Sequence, residues 1–153
     1  MRALWACSPV DADSKQLAGF YRTLAQVSGS KDDIEVGFIS THTESELNLA
    51  MDVPRSERHT AYPKKLIKSA QRSARISIDD AKIHVVDYPT YSTTKAVDRL
   101  LRLARERNAR LIGLFTQARR GFQRLVLGSF AETAIHRSKT NLLLASPKAT
   151  FAP

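Results

Sequence analysis

The stretch Leu111-Ile-Gly-Leu-Phe-Thr-Gln-Ala-Arg-Arg-Gly-Phe-Gln-Arg-Leu-Val-Leu-Gly-Ser-Phe-Ala-Glu-Thr-Ala-Ile135 decides the architecture. Leu111–Phe115 is a short apolar run of the kind that forms a strand buried on both faces. A loop follows with three cations, Arg119, Arg120 and Arg124, and then Gly128-Ser129 opens a helical segment running to Arg137. Strand, loop and helix N-terminus in this order form the arrangement with which open α/β proteins hold phosphate groups, because the first helical N–H groups have no partner within the helix. Ser129-Phe-Ala-Glu132 also has the spacing of a capping box. Ser129 therefore either caps the helix alone or caps it and contacts a phosphate, since both roles use the same amides.

Working outward, the same alternation recurs. Arg2–Cys7 reads as a first strand, and Asp13-Ser-Lys-Gln16 as a helix start, with Leu17, Phe20, Tyr21, Leu24 and Val27 at helical spacing and Gly29 as terminator. Asp33–Thr41 is a second strand. Thr43–Thr60 reads as a long connection with one helical turn around Glu44–Leu49, and Pro63 suits the first turn of a further helix carrying Leu66, Ile67, Ala70 and Ala74. Lys82–Asp87 is the third strand, Thr94–Asn108 an amphipathic helix through Val97, Leu100, Leu101 and Ala104, and Asn141–Ala145 the fifth strand, stopped by Pro147. This βαβαβαβαβ order predicts an open doubly wound α/β fold: a five-stranded parallel sheet of order 3-2-1-4-5 with helices on both faces. Its switch point falls between strands one and four, so Cys7–Asp13 should face Thr116–Ser129 across the ligand crevice.

A chain of 153 residues with 42% apolar content is read as one domain, residues 1–153, with one core. No apolar run approaches the roughly 20 residues of a membrane helix, and the N-terminal apolar segment is too short for a secretory leader. The single cysteine, Cys7, permits no internal disulfide. These features lead to the expectation of a cytoplasmic protein without a membrane partner. The net charge of +9 points to anionic partners or to a spread basic surface. His42, His59, His84 and His136 lack metal-ligand spacing, and the chain carries no P-loop, nucleophile elbow or zinc-protease signature. No catalytic residue and no metal site is expected.

The length, the strand order and the run Arg-Arg-Gly-Phe-Gln-Arg-Leu-Val-Leu-Gly-Ser-Phe-Ala-Glu at 119–132 resemble the universal stress protein family, over about residues 2–147. Many of its members bind ATP through Gly-x-x-Gly, nine residues, then Gly-Ser or Gly-Thr. The resemblance implies a stress-response protein that binds ATP, with magnesium, or another nucleotide. It implies candidate contacts at Ser8, Ser40, Thr116, Arg119, Arg120, Gly128 and Ser129. It further implies a homodimer paired through the last strand, where Leu142, Leu143 and Leu144 suit burial.

The motif is degenerate. Phe115 and Ala118 stand where the family has glycines, and Ser8 stands where nucleotide-binding members carry Asp. Losing a charge-assisted acceptor costs about 1.5–3 kcal/mol, and the Phe115 ring either closes space beside the phosphates or turns inward as the last residue of strand four. Together these changes weaken ATP binding by roughly a hundredfold or more, at tenfold per 1.4 kcal/mol, whereas the arginines supply compensating cations. Two functions follow. One is a nucleotide- or anion-binding sensor or adaptor with slow or absent hydrolysis. The other is an interaction protein that binds no nucleotide and engages a protein or RNA through its basic surface. Lys64, Lys68, Arg72 and Arg75 share one helical face, as do Arg99, Arg102 and Arg105. Either row is an interaction stripe or the ordinary solvated side of a helix. Tyr88 and Tyr91 either pack over the sheet edge or stack on a base.

Overall fold

Ala3, Leu4, Trp5 and Ala6 are each no more than 3% exposed, which fits the central position of their strand in the sheet. The computed structural model describes residues 1–7, 14–40, 77–87, 92–115 and 129–146. Strands β1 (Ala3–Cys7), β2 (Ile34–Ser40), β3 (Ile83–Asp87), β4 (Leu111–Phe115) and β5 (Asn141–Ala145) form one parallel sheet of order β3-β2-β1-β4-β5. The doubly wound order predicted from sequence is thus observed. Helices α1 (Ser14–Ser28), α2 (Thr93–Glu106) and α3 (Ser129–Arg137) are the described helices, and a short 3-10 turn, Asp80–Lys82, leads into β3. The expected connection at 43–60, the helix after Pro63 with its basic stripe, and Tyr88 and Tyr91 lie outside the described residues.

Both faces of the central strands are buried, which is why β1 and β4 read as continuous apolar runs rather than alternating ones. Ala3, Trp5, Ile34, Val36, Ile83 and Leu111 face α1, packing with Leu17, Phe20, Tyr21 and Leu24. Leu4, Ala6, Ile39, Val86, Ile112 and Leu114 face the other way, onto Val97, Leu100, Leu101 and Ala104 of α2 and Ala134 of α3. Successive residues alternate between these two cores, as the pleat requires.

The helix ends follow local chemistry. Gly29 ends α1 with φ 86, a left-handed conformation favouring glycine, and its N–H donates to the Ala25 carbonyl at 3.0 Å. α2 ends without glycine. Asn108 takes the left-handed position at φ 54, its N–H donates to Arg105 O at 3.0 Å, and Ala109 N–H donates to Ala104 O at 2.8 Å. These two bonds form a Schellman motif with asparagine at its turn residue. The Asp79 carboxylate accepts from the Ala81 N–H at 3.0 Å and so fixes the turn before β3.

Candidate functional site

The order β3-β2-β1-β4-β5 reverses direction between β1 and β4, and this is where open sheets leave a crevice beyond the carboxyl ends of the strands. Ala6 pairs with Leu114 at that end, so Cys7 and Phe115 finish the two strands side by side. Ser8 directly follows β1 and Thr116 directly follows β4. Ser8, Thr116, Arg119, Arg120 and Gly128 themselves lie outside the described residues. Ser40 ends β2, one strand away from the crevice, in register with Asp87 of β3.

Ser129 is the first residue of α3 and is exposed. The capping-box reading places it one position earlier, as the residue before the helix. With α3 starting at Ser129, its own amide joins those of Phe130 and Ala131 among the first-turn N–H groups that have no carbonyl partner inside the helix. The Ser129 carbonyl accepts from Thr133 Oγ1 at 2.7 Å as well as serving the helix. Ala131 and Ala134 are buried against the sheet and α2, so packing fixes the direction of the α3 axis. The positive end of the helix dipole, with N–H groups that have no carbonyl partner inside the helix, is thereby fixed at the end of α3 that follows β4 in the chain. Glu132 in the first turn favours the helix electrostatically and opposes an anion placed beside it.

The opposite, amino end of the sheet carries a polar cluster that sequence reading missed. His84 Nε2 and Glu35 Oε2 are 2.6 Å apart, and Arg107 lies 3.3 Å from His84 Nδ1 through Nη2 and 3.5 Å from Glu35 Oε2 through Nε. The guanidinium can only donate, and Glu35 can accept a hydrogen bond from Nε2–H. Alternation along β3 by itself allows His84 either to face solvent or to pack. The register Gly37↔His84 is what brings Glu35 beside it, and nothing in a linear sequence marks that register.

Elsewhere the phenol of Tyr21 is held above its ordinary value of 10.0, first by burial and then by the nearby Asp32 carboxylate. Its hydroxyl donates to Lys31 O at 3.4 Å. Trp5 packs on the Tyr21 ring with centroids 5.7 Å apart, and its buried Nε1–H has no hydrogen-bond partner among the described residues. Among the described residues, no three His, Cys, Asp or Glu side chains gather as a metal site, and no helix is long and apolar enough to cross a membrane.

β5 lies at one edge of the sheet and, among the described strands, pairs with β4 alone. Leu142, Leu143 and Leu144 are only half-buried there: Leu143 packs toward the α1 face, and Leu142 and Leu144 toward α2 and α3. Ile135 on α3 is 40% exposed.

Comparison with known proteins agrees with this architecture. The Universal stress protein family matches residues 8–146. No curated protein matches the chain significantly by sequence. Among solved structures, a universal stress protein from Archaeoglobus fulgidus is similar with a TM-score of 0.53 at 17% identity, over 94% of this chain and 97% of that one. A universal stress protein solved in complex with cAMP has a TM-score of 0.53 at 18% identity, over 96% and 98% of the two chains. A functionally unknown protein from Pseudomonas aeruginosa PAO1 has a TM-score of 0.55 at 19% identity, over 95% of this chain. The chain spans about half, 47%, of each of two Pseudomonas aeruginosa proteins it matches. At such identities these likenesses concern the fold, and it is the match over 8–146 that fixes the relationship: the chain belongs to the universal stress protein family.

Proposed function

We propose that the protein is a cytoplasmic stress-response protein that binds a nucleotide, ATP or a relative of it, at the β1–β4 crevice, and acts as a sensor or adaptor rather than as a turnover enzyme. The observation that carries this reading is the placement of α3: it follows β4 in the chain, and β4 borders the point where the strand order reverses, so the first-turn amides of α3, without partners inside the helix, suit an anion. In this reading the phosphates lie against Gly128 and Ser129, with Thr116, Arg119 and Arg120 as further donors and Ser8 and Ser40 toward the nucleoside. The cAMP complex of a protein with the same fold supports a nucleotide as the ligand class. Residues 116–128 contain no Asp or Glu, so this loop offers no carboxylate to hold magnesium or to act as a base. Binding without rapid hydrolysis is the expected behaviour.

The same reading makes the protein a homodimer through β5, where Leu142, Leu143 and Leu144 retain apolar surface on a free edge. A monomer at micromolar concentration in sedimentation equilibrium removes the dimer.

The test of the nucleotide is a calorimetric titration of the protein with Mg-ATP, alongside AMP and cAMP. Saturable heat with a matching thermal shift supports the site. No heat, and no change in melting temperature at millimolar nucleotide, overturns it and leaves a protein or RNA partner on the basic surface as the remaining reading.

A further inference from the structure

α2 and α3 pack against each other on one face of the sheet. Between them lies a cleft of about 430 Å3 lined by Asp98, Leu101, Arg105, His136 and Arg137. Buried Leu101 contributes its apolar part, and the rest of the lining is charged or titratable. Two of the acids nearby are already engaged, and Glu132 stands one turn before His136 on α3. Asp98 accepts from Arg137 Nε at 2.8 Å and from Nη2 at 3.0 Å, and Glu106 accepts from Arg102 at 2.9 Å. The Arg105 guanidinium and the His136 ring have no such partner among the described residues.

The Asp98–Arg137 pair has a geometric consequence. A guanidinium has five N–H donors in a rigid plane. Asp98 engages two of its nitrogens, and Arg137 is left with further donors held in one orientation. Arg105, one helical turn from Leu101, and His136 add donors from other directions. Several donors around one cleft suit an acceptor with three oxygens and a charge near −2 better than a carboxylate with two oxygens and one charge. The volume lies in the range of pockets for small organic ligands and exceeds what a bare inorganic ion requires.

We propose that the α2–α3 cleft is a second anion site that takes a phosphate-monoester group, bound by Arg105, His136 and the Asp98-oriented Arg137. It is separate from the nucleotide site. Ser129 is the first and Arg137 the last residue of α3, about 12 Å apart at 1.5 Å rise per residue. The chemistry differs too. The carboxyl end of a helix carries partial negative charge, so here side chains must do what free amides do at the other end. Substituting those side chains should therefore remove the site without touching the fold, since Arg105 and His136 are both exposed.

The test is a 1H–15N NMR titration of the intact protein with O-phospho-L-serine, against L-serine and sodium chloride at matched ionic strength. Saturable shifts are expected at Asp98, Arg105, His136 and Arg137, larger than with either control. R105Q should weaken binding about tenfold or more and H136Q several-fold, with unchanged circular dichroism. The idea is overturned by shifts no larger than those in chloride, by binding that survives R105Q and H136Q together, or by shifts confined to the first turn of α3. A phosphoserine peptide resolves the source. Binding at least tenfold tighter than the free amino acid identifies a phosphorylated partner protein, and equal binding identifies a phosphorylated metabolite.

Discussion

Gly113 lies in β4 between Trp5 of β1 and Leu143 of β5, and α1 crosses directly above it. A Cβ at this position would sit 3.0 Å from Phe20 Cζ and 3.1 Å from both Phe20 Cε1 and Leu24 Cδ2. Carbon atoms pack best at about 3.5–4.0 Å, so Gly113→Ala must displace α1 or its side chains by roughly half an ångström. Phe20 and Leu24 are both 0% exposed and have no room to swing away. Overpacking of this kind costs about 1–3 kcal/mol. Replacing glycine stiffens the unfolded chain and returns about 0.4–1 kcal/mol, for a net loss of about 1–2 kcal/mol. At about 2–4 °C per kcal/mol for a domain of this length, the melting temperature falls by roughly 2–8 °C. Gly37→Ala is the control. Its Cβ would meet Leu100 at 3.2 Å and Leu103 at 3.4 Å, and Leu103 is only partly buried and can yield. That variant should stay within about 0.5 kcal/mol of the parent, because the smaller clash is offset by the same chain stiffening. Urea unfolding followed by fluorescence of the single tryptophan, Trp5, reads both variants. Gly113→Ala matching the parent, or Gly37→Ala proving the costlier change, refutes the close seat of α1 on β4.

Gly29→Ala places a side chain at φ 86 and should cost about 1–2 kcal/mol in the same urea assay; an unchanged midpoint would mean that α1 ends in another conformation. Burial raises the Tyr21 phenol in the folded state, so above pH 10.0 the native protein retains a proton that the unfolded chain gives up. The stability from Tyr21 is therefore whole below pH 10.0 and is lost as pH climbs through the raised value. Tyr21→Phe should remove that part of the alkaline loss, and a variant whose stability falls with the same slope above pH 10.0 contradicts it. Ser129→Pro deletes one first-turn N–H at a position where proline suits a helix. ATP affinity measured by calorimetry should fall about tenfold, the worth of one charge-assisted hydrogen bond, with α3 retained by circular dichroism. Unchanged affinity would remove the amide from the phosphate site.

The legible parts of the fold are those where one stretch of chain carries its own signal. Leu111–Phe115 was bounded correctly because burial on both faces makes that strand apolar throughout, and Asn141–Ala145 because its Leu-Leu-Leu-Ala run stands between polar residues. Gly29 marked a helix end because its left-handed conformation is one that glycine adopts without strain. The end of α2 was less clear, since Asn108 performs glycine's task there and the helix stops at Glu106, short of the expected boundary. Pairings across the chain left no trace. Glu35 meets His84 only through the β2–β3 register, and Asp98 meets Arg137 only because α2 and α3 pack together. Arg105, in a row that reads either as an interaction stripe or as a solvated face, is exposed and also lines a cleft, and that cleft is set by the neighbouring helix rather than by its own. At the candidate site, Ser129 and Ser40 fall at the ends of elements as expected, whereas Ser8, Thr116, Arg119, Arg120 and Gly128 lie outside the described residues.

The two ends of the sheet carry different duties, and this bears on the broken glycine pattern. At the amino end the strands and helices are tied by polar contacts: Glu35, His84 and Arg107 together, Arg2 to the Arg107 carbonyl at 3.4 Å, and Lys82 to the Asp32 carbonyl at 2.7 Å. The two cores hold the middle. The residues named in both are distinct from Phe115 and Ala118, the two positions where the family has glycines. What the replacement changes is recognition. A glycine loop binds phosphate through backbone amides at close approach, whereas on the proposed reading Arg119, Arg120 and Arg124 would bind through long cationic side chains from farther away. Binding of the second kind rests more on charge and is screened more strongly by salt. The departure from the family pattern therefore argues for a remade anion site on an unchanged scaffold, in keeping with the general rule that sites diverge on folds that do not.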